Sequence, residues 1–212
     1  MPMRLIGALA ILAAALASPA GAEPVDRLFG QQQLALLEPG AALTYRHVRQ
    51  IHAKGAARPG FDEVIRVERD AANAPVLVTM NARSAPRRLD PFRGMTGNPV
   101  LMVFLESMVA VISETTGGSP FYLRNRIREA MRERMTERPV SVSHAGSEIA
   151  AWELELRPFE SDPHVEELGA FKDLRLSFVL SDSAPGAFLS LAATTDGEPA
   201  AYSEEIRLDE TP

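Results

Sequence analysis

The sequence predicts an α+β fold: a curved antiparallel β-sheet or partial barrel of about eight strands, with an α-helical hairpin, about 98–138, inserted and packed over one face. Three observations lead there. Apolar and polar residues alternate with a period of two on both sides of the chain's middle, as in Trp152, Leu154 and Leu156 against Glu153 and Glu155. Between residues 98 and 138 the period changes to that of a helix. All strand connections but the helical one are short enough for hairpins, which makes neighbouring strands antiparallel.

The first 22 residues read as a secretory signal peptide. Arg4 supplies the positive start, Leu5 to Leu16 the apolar stretch, and Ala20-Gly21-Ala22 the small-residue cleavage site. The apolar run falls short of the roughly 20 residues a membrane span needs, so cleavage before Glu23 is expected, leaving 23–212 as a single α+β domain. Glu23 to Pro39 then reads as a short helical segment. Three strands follow at about 43–52, 61–68 and 76–82, rich in valine, isoleucine, tyrosine and threonine and divided by turn signals at 54–60 and 70–75. Residues 83–97, punctuated by Pro86, Pro91, Gly94 and Gly97, read as a long surface connection.

Asn98 and Pro99 have the grammar of a helix start, and Gly117-Gly118 that of a stop. At 100° per residue the apolar side chains between them cover an arc of about 200°, wider than the stripe of a surface helix. Such a helix has to be nearly engulfed by the fold, line a cavity or meet a partner. Ser119-Pro120 start a second helix, predicted to reach Arg138 before Pro139. It has a thin stripe of Leu123, Ile127, Met131 and Met135 and carries Arg124, Arg126, Arg128, Arg132, Arg134 and Arg138 against Glu129, Glu133 and Glu137.

After Pro139 the period returns to two. Val140 and Val142 lead to a turn at His144-Ala145-Gly146, and a strand runs from Ile149 to Leu156. Leu174, Leu176, Phe178 and Leu180 form the next, followed by strands at 187–193 and 202–208.

Composition narrows the function. There is no cysteine, which excludes a thiol nucleophile, an iron–sulfur cluster, a thiolate zinc site and a lipid-modified cysteine. The net charge of −6, or −7 once the leader takes away Arg4, disfavours nucleic acid and anionic bilayers as partners. Among the 22 basic residues only Lys54 and Lys172 are lysines, a bias expected of a GC-rich genome. With the alanine-rich leader it points to a Gram-negative bacterium and a periplasmic product, secretion to the medium being the alternative.

No motif names a reaction, so no catalytic residue, cofactor or metal ligand is assigned. His47 and His52 are five apart, which sends them to opposite faces of a strand. His164 lies among Asp162, Glu166 and Glu167 without a known ligand spacing, and reads as part of a solvated acidic loop. A hydrolase using Ser119 or His144 would need partners that no spacing promises. For an anion, the second helix offers Ser119, Arg124 and Arg126 near its N-terminus; pairing of those arginines with Glu129 and Glu133 is the plainer reading. For an apolar ligand the candidates are Met102, Phe104, Leu105 and Met108 on the first helix and Trp152 and Phe178 on the sheet; the plainer reading is that they make the core.

In element order the mature chain resembles the lipoprotein carrier proteins of the Gram-negative periplasm, whose unclosed antiparallel barrels are covered by helices. That resemblance implies a non-enzymatic protein carrying a hydrophobic or lipid-like ligand between sheet and helices; it transfers no residue. The alternative is an envelope adaptor docking a partner protein through the arginine-rich helix 119–138.

Overall fold

The computed structural model describes residues 23–209 other than 31–32, 35–36, 39, 57, 70–75, 83–84 and 89–96; over 69, 76–82 and 85–88 it describes the backbone alone. The leader lies outside the described residues. No helix among them is long and apolar enough to cross a membrane.

A short helix α1 (Pro24–Leu28) precedes strands β1 (Ala42–Ile51), β2 (Phe61–Arg69), β3 (Val76–Ala82) and β4 (Ala85–Arg88). Helices α2 (Val100–Thr116) and α3 (Pro120–Glu133) come next, then β5 (Thr136–His144) and β6 (Ser147–Leu156). A 3₁₀ segment (Val165–Phe171), kinked at Gly169, precedes β7 (Arg175–Leu180), β8 (Phe188–Thr194) and β9 (Tyr202–Leu208). Among the described residues all nine strands form one antiparallel sheet in the order β4-β3-β2-β1-β9-β8-β7-β6-β5. Two meanders, β1–β4 and β5–β9, therefore meet along the β1–β9 seam, and the α2–α3 hairpin connects them. This is the predicted curved sheet with helices over one face.

The over-wide apolar arc of α2 is covered by the protein itself. Val100, Leu101, Phe104, Met108, Val109, Val111 and Ile112 are buried, and α2 packs on α3, the 3₁₀ segment, β8 and β9. Its two ends explain its length. At the start, the Asn98 side-chain oxygen accepts the Val100 N–H at 3.1 Å, while its amide nitrogen donates to the Tyr45 hydroxyl and the Gly186 carbonyl, both at 2.8 Å. Gly186 has φ of +78°, and a Cβ there would overlap Leu43, Asn98 and Tyr45, so glycine is required by space as well as by conformation. At the other end Gly117 takes the left-handed conformation and donates to the Ser113 carbonyl at 2.8 Å.

The structure corrects several boundaries. α3 stops at Glu133, not Arg138, because Arg134 leaves helical geometry with φ of −132° and β5 is under way by Thr136. Pro139 is no terminator. It sits inside β5, an edge strand of the described sheet, where a missing N–H costs no ladder bond if it faces outward. Residues 83–97 are not purely connection, since Ala85–Arg88 pairs with β3 as β4. Of the predicted helical segment 23–39, the described residues are helical over Pro24–Leu28 alone. The acidic loop holding His164 continues into the 3₁₀ segment.

Candidate functional site

Because side chains alternate, each central strand presents one face to the helices and one away from them. On the helix side stand Tyr45, Ile65, Leu154, Phe178, Leu191 and Ile206, all buried. On the other face a groove opens, with a volume of about 810 Å³. Its floor comes from Val48 of β1, Val179 of β7, Leu189 of β8 and the β9 residues Glu205 and Arg207. Val142, Ser143 and His144 form a wall. They reach it because β6 pairs with β7 only over Trp152–Leu156, so the β5–β6 hairpin runs on past the end of β7. Ala145 and Gly146, both at positive φ, close that hairpin in two residues.

The groove has a mixed lining. Towards β5, β7 and β8, Val142, Val179 and Leu189 alternate with Ser143, His144 and Ser190; towards β1 and β9 the charged Arg46, Glu205, Arg207 and Asp209 stand beside Val48 and Leu208. Arg46 and Arg207 stand directly opposite in register on neighbouring strands, an arrangement that like charges disfavour. Carboxylates relieve it: Asp62 holds Arg46 with two hydrogen bonds of 2.6 and 3.0 Å, and Glu205 holds Arg207 at 2.5 and 3.1 Å.

Under the same seam, on the helix side, lies a cluster of buried charges. The side chains of His47, Arg49, Glu63 and Glu204 are all at most 9 % exposed. His47 Nε2 is 2.7 Å from Glu204 Oε1, Arg49 Nε donates to Glu204 Oε2 at 2.8 Å, and the Tyr202 hydroxyl donates to the same oxygen at 2.5 Å. Arg49 also bonds the Ser107 hydroxyl of α2 and lies 4.3 Å over the Phe61 ring, which His47 meets edge-on. His47 Nδ1 comes within 3.3 Å of Glu63 Oε1, though without hydrogen-bond geometry. Burial would lower the His47 pKa, but the carboxylates of Glu204 and Glu63 outweigh it and hold the imidazole above its ordinary 6.5. Burial would raise that of Glu204; His47 and Arg49 instead bring it down to about 2. With His47 protonated, two cations face two anions and the cluster is neutral. It locks β1, β2, β9 and α2 together and, being sealed from solvent, is positioned for structure rather than for turnover.

The sequence candidates fall in separate places. Phe104, Met108 and Phe178 are wholly buried, with the Phe104 and Phe178 rings edge-on at 6.1 Å, so the space between sheet and helices at that point is filled by side chains. Trp152 is half-buried beneath the Arg27 guanidinium, 4.2 Å from its ring, and Arg27 also pairs with Glu137 at 3.1 Å. Met102 and Leu105 reach the outer surface, where they line a small apolar groove of about 140 Å³ with Phe29, Ile127 and Met131. Arg124 borders that groove and is held by Glu106 at 2.6 and 2.8 Å. Arg126 points the other way, to Asp162 at 3.1 Å and Glu129 at 2.6 Å. Ser119 makes no side-chain cap bond and lines a separate cavity of about 410 Å³ with Tyr122, His164 and Glu167. Ser119, Arg124 and Arg126 are thus not gathered round one volume.

Asp162 organises that corner. Its buried carboxylate accepts from the Tyr122 hydroxyl at 2.7 Å, the His164 N–H at 2.8 Å and Arg126. Burial works against its ionised form, but these donors hold its pKa below the ordinary value, while the Tyr122 phenol is pushed up to about 12 by burial and by the carboxylate it serves.

Sequence reasoning missed the His47 cluster, whose partners are up to 157 residues apart. The signal was present in the alternation: Leu43, Tyr45, His47 and Arg49 share one face of β1, and Tyr202, Glu204, Ile206 and Leu208 share one face of β9.

No protein-family model matches this chain, and no curated protein matches it. Among solved structures, the lipoprotein LppX of Mycobacterium tuberculosis is similar at 7 % identity, covering 90 % of this chain and 98 % of that one, with a TM-score of 0.35.

Proposed function

We propose that this is a non-enzymatic, exported binding protein that holds an apolar or lipid-like ligand in the groove on the sheet's open face. The observation that carries the reading is the groove itself. Its volume of about 810 Å³ lies within the roughly 300–1,000 Å³ of small-molecule sites, and its mixed lining, with Val48, Val142, Val179 and Leu189 beside Arg46, Glu205, Arg207 and Asp209, suits a molecule with a chain and a polar head. This moves the ligand from where the sequence placed it: Phe104, Met108 and Phe178 serve as core behind the sheet. Export rests on the leader grammar of residues 1–22, and the periplasm is the proposed compartment.

Native mass spectrometry of the protein purified from its own cells tests the reading, together with binding of a fluorescent apolar probe such as 1-aminoanthracene. A stoichiometric apolar adduct or saturable probe binding is expected. Val142→Arg replaces one of the groove's apolar lining residues with a charge and should weaken the probe about ten- to a hundredfold, the cost of about 1–3 kcal/mol for an unpaired polar group, with the melting temperature unchanged because Val142 is only half-buried. Absence of adduct and probe binding, or full binding by the variant, would remove the groove as the site.

A further inference from the structure

A second surface, independent of the groove, lies on the outer side of the helical hairpin. Phe121 is 72 % exposed and Phe29 47 %, the two large aromatic side chains that stand most open among the described residues. At 100° per residue, Phe121, Arg124, Asn125, Arg128 and Arg132 fall on one stripe of α3, about 100° wide, while Glu129 and Glu133 lie to one side of it. Arg124, Arg128 and Arg132 are exposed along this stripe. Beside it runs the apolar groove of Met102, Leu105, Ile127 and Met131, edged by Phe29, with Glu106 as the acid at its rim, paired to Arg124.

The chain as a whole carries −6; with Arg124 balanced by Glu106, Arg128 and Arg132 beside an open aromatic ring are a local reversal of sign. Solvation alone accounts for exposed arginines, but it leaves two exposed phenylalanines and an apolar trough on the same face at an uncompensated hydrophobic cost. An aromatic ring that enters the acyl boundary while neighbouring arginines stay among headgroup phosphates satisfies both halves of the surface at once. We propose that the outer face of α2–α3, with Phe29, Phe121, Arg128 and Arg132 at its centre, is a peripheral docking surface for an anionic lipid bilayer. The groove between the helices is too small for a whole ligand and of a size to receive the end of one acyl chain.

The test is co-sedimentation of the protein, purified from its own cells, with vesicles of phosphatidylcholine alone or mixed with phosphatidylglycerol. Binding to the mixed vesicles, weakened by salt and much reduced on phosphatidylcholine alone, is expected. Arg128→Gln and Arg132→Gln should each weaken it about fivefold, as expected for one arginine near an anionic surface, and Phe121→Ala about tenfold. Arg175→Gln, the same charge change at the exposed first position of β7, should leave it unaltered, which separates the stripe from net charge. All four positions are exposed, so thermal melts should coincide with the parent. No difference between the two kinds of vesicle, or equal losses from Arg175→Gln and Arg128→Gln, would overturn the proposal without touching the sheet groove, which the apolar probe reads separately.

Discussion

Glu204→Gln is expected to lower the unfolding free energy by about 3–5 kcal/mol near pH 6, the range for removing one member of a buried ionic set and leaving its partners uncompensated. The side chain is fully enclosed and touches three donors, His47, Arg49 and Tyr202, so the amide cannot serve them all. Denaturant titration at two pH values gives the sharper reading. His47 has its folded pKa raised above 6.5, so its contribution is fully present below that value and is lost as pH rises through the folded pKa. Glu204 has its folded pKa depressed from 4.5 to about 2, so its contribution is present above 4.5 and is lost as pH falls towards 2. The parent should therefore be most stable between about 4.5 and 6.5. Above the folded His47 pKa, where the imidazole is neutral, Glu204→Gln should cost less than at pH 6. A penalty that stayed constant from pH 6 to pH 9 would show that His47 and Glu204 are not energetically linked.

Phe104→Ala should cost about 3–5 kcal/mol by leaving a cavity at the junction of α2 and the sheet. The ring is wholly buried against Phe178, and the surrounding strands, fixed on both sides by their neighbours, have little room to collapse into the gap. The same variant separates two roles that the sequence left open. If Phe104 is core, the melting temperature falls while probe binding at the opposite face of the sheet persists below the new melt. Loss of binding at temperatures where the fold is intact would return the ligand to the space between sheet and helices.

What was legible in the sequence follows from which forces are local. The strands and the helical pair showed themselves because period and capping residues lie within a few positions of each other, whereas the breadth of the α2 apolar arc left open whether the fold, a cavity or a partner would cover it. The end of α3 was misplaced because Arg134 to Arg138 continues a helical charge pattern, while the competing pairing with β6 sits some twenty residues away. β4 was hidden by Pro86, which is tolerated only because the strand is at an edge of the described sheet. Phe104 and Met102 are two residues apart yet one is core and the other lines a surface groove, a distinction set by which face of α2 meets the sheet and which meets α3. The charged cluster and the groove share a deeper reason for invisibility: both are made by the seam between β1 and β9, and no local pattern reveals which distant strand will lie alongside.

That seam also sets the order in which the chain can become a protein. β9 is the last strand, and until it has been synthesised β1 has a bare edge with His47 and Arg49 facing a half-built interior that lacks Glu204. A partial chain therefore meets both an unpaired ladder and unbalanced charge, and gains little by closing early. Pairing across so long a stretch of sequence is slow in any case. A polypeptide built this way stays pliable until β9 is available to pair with β1.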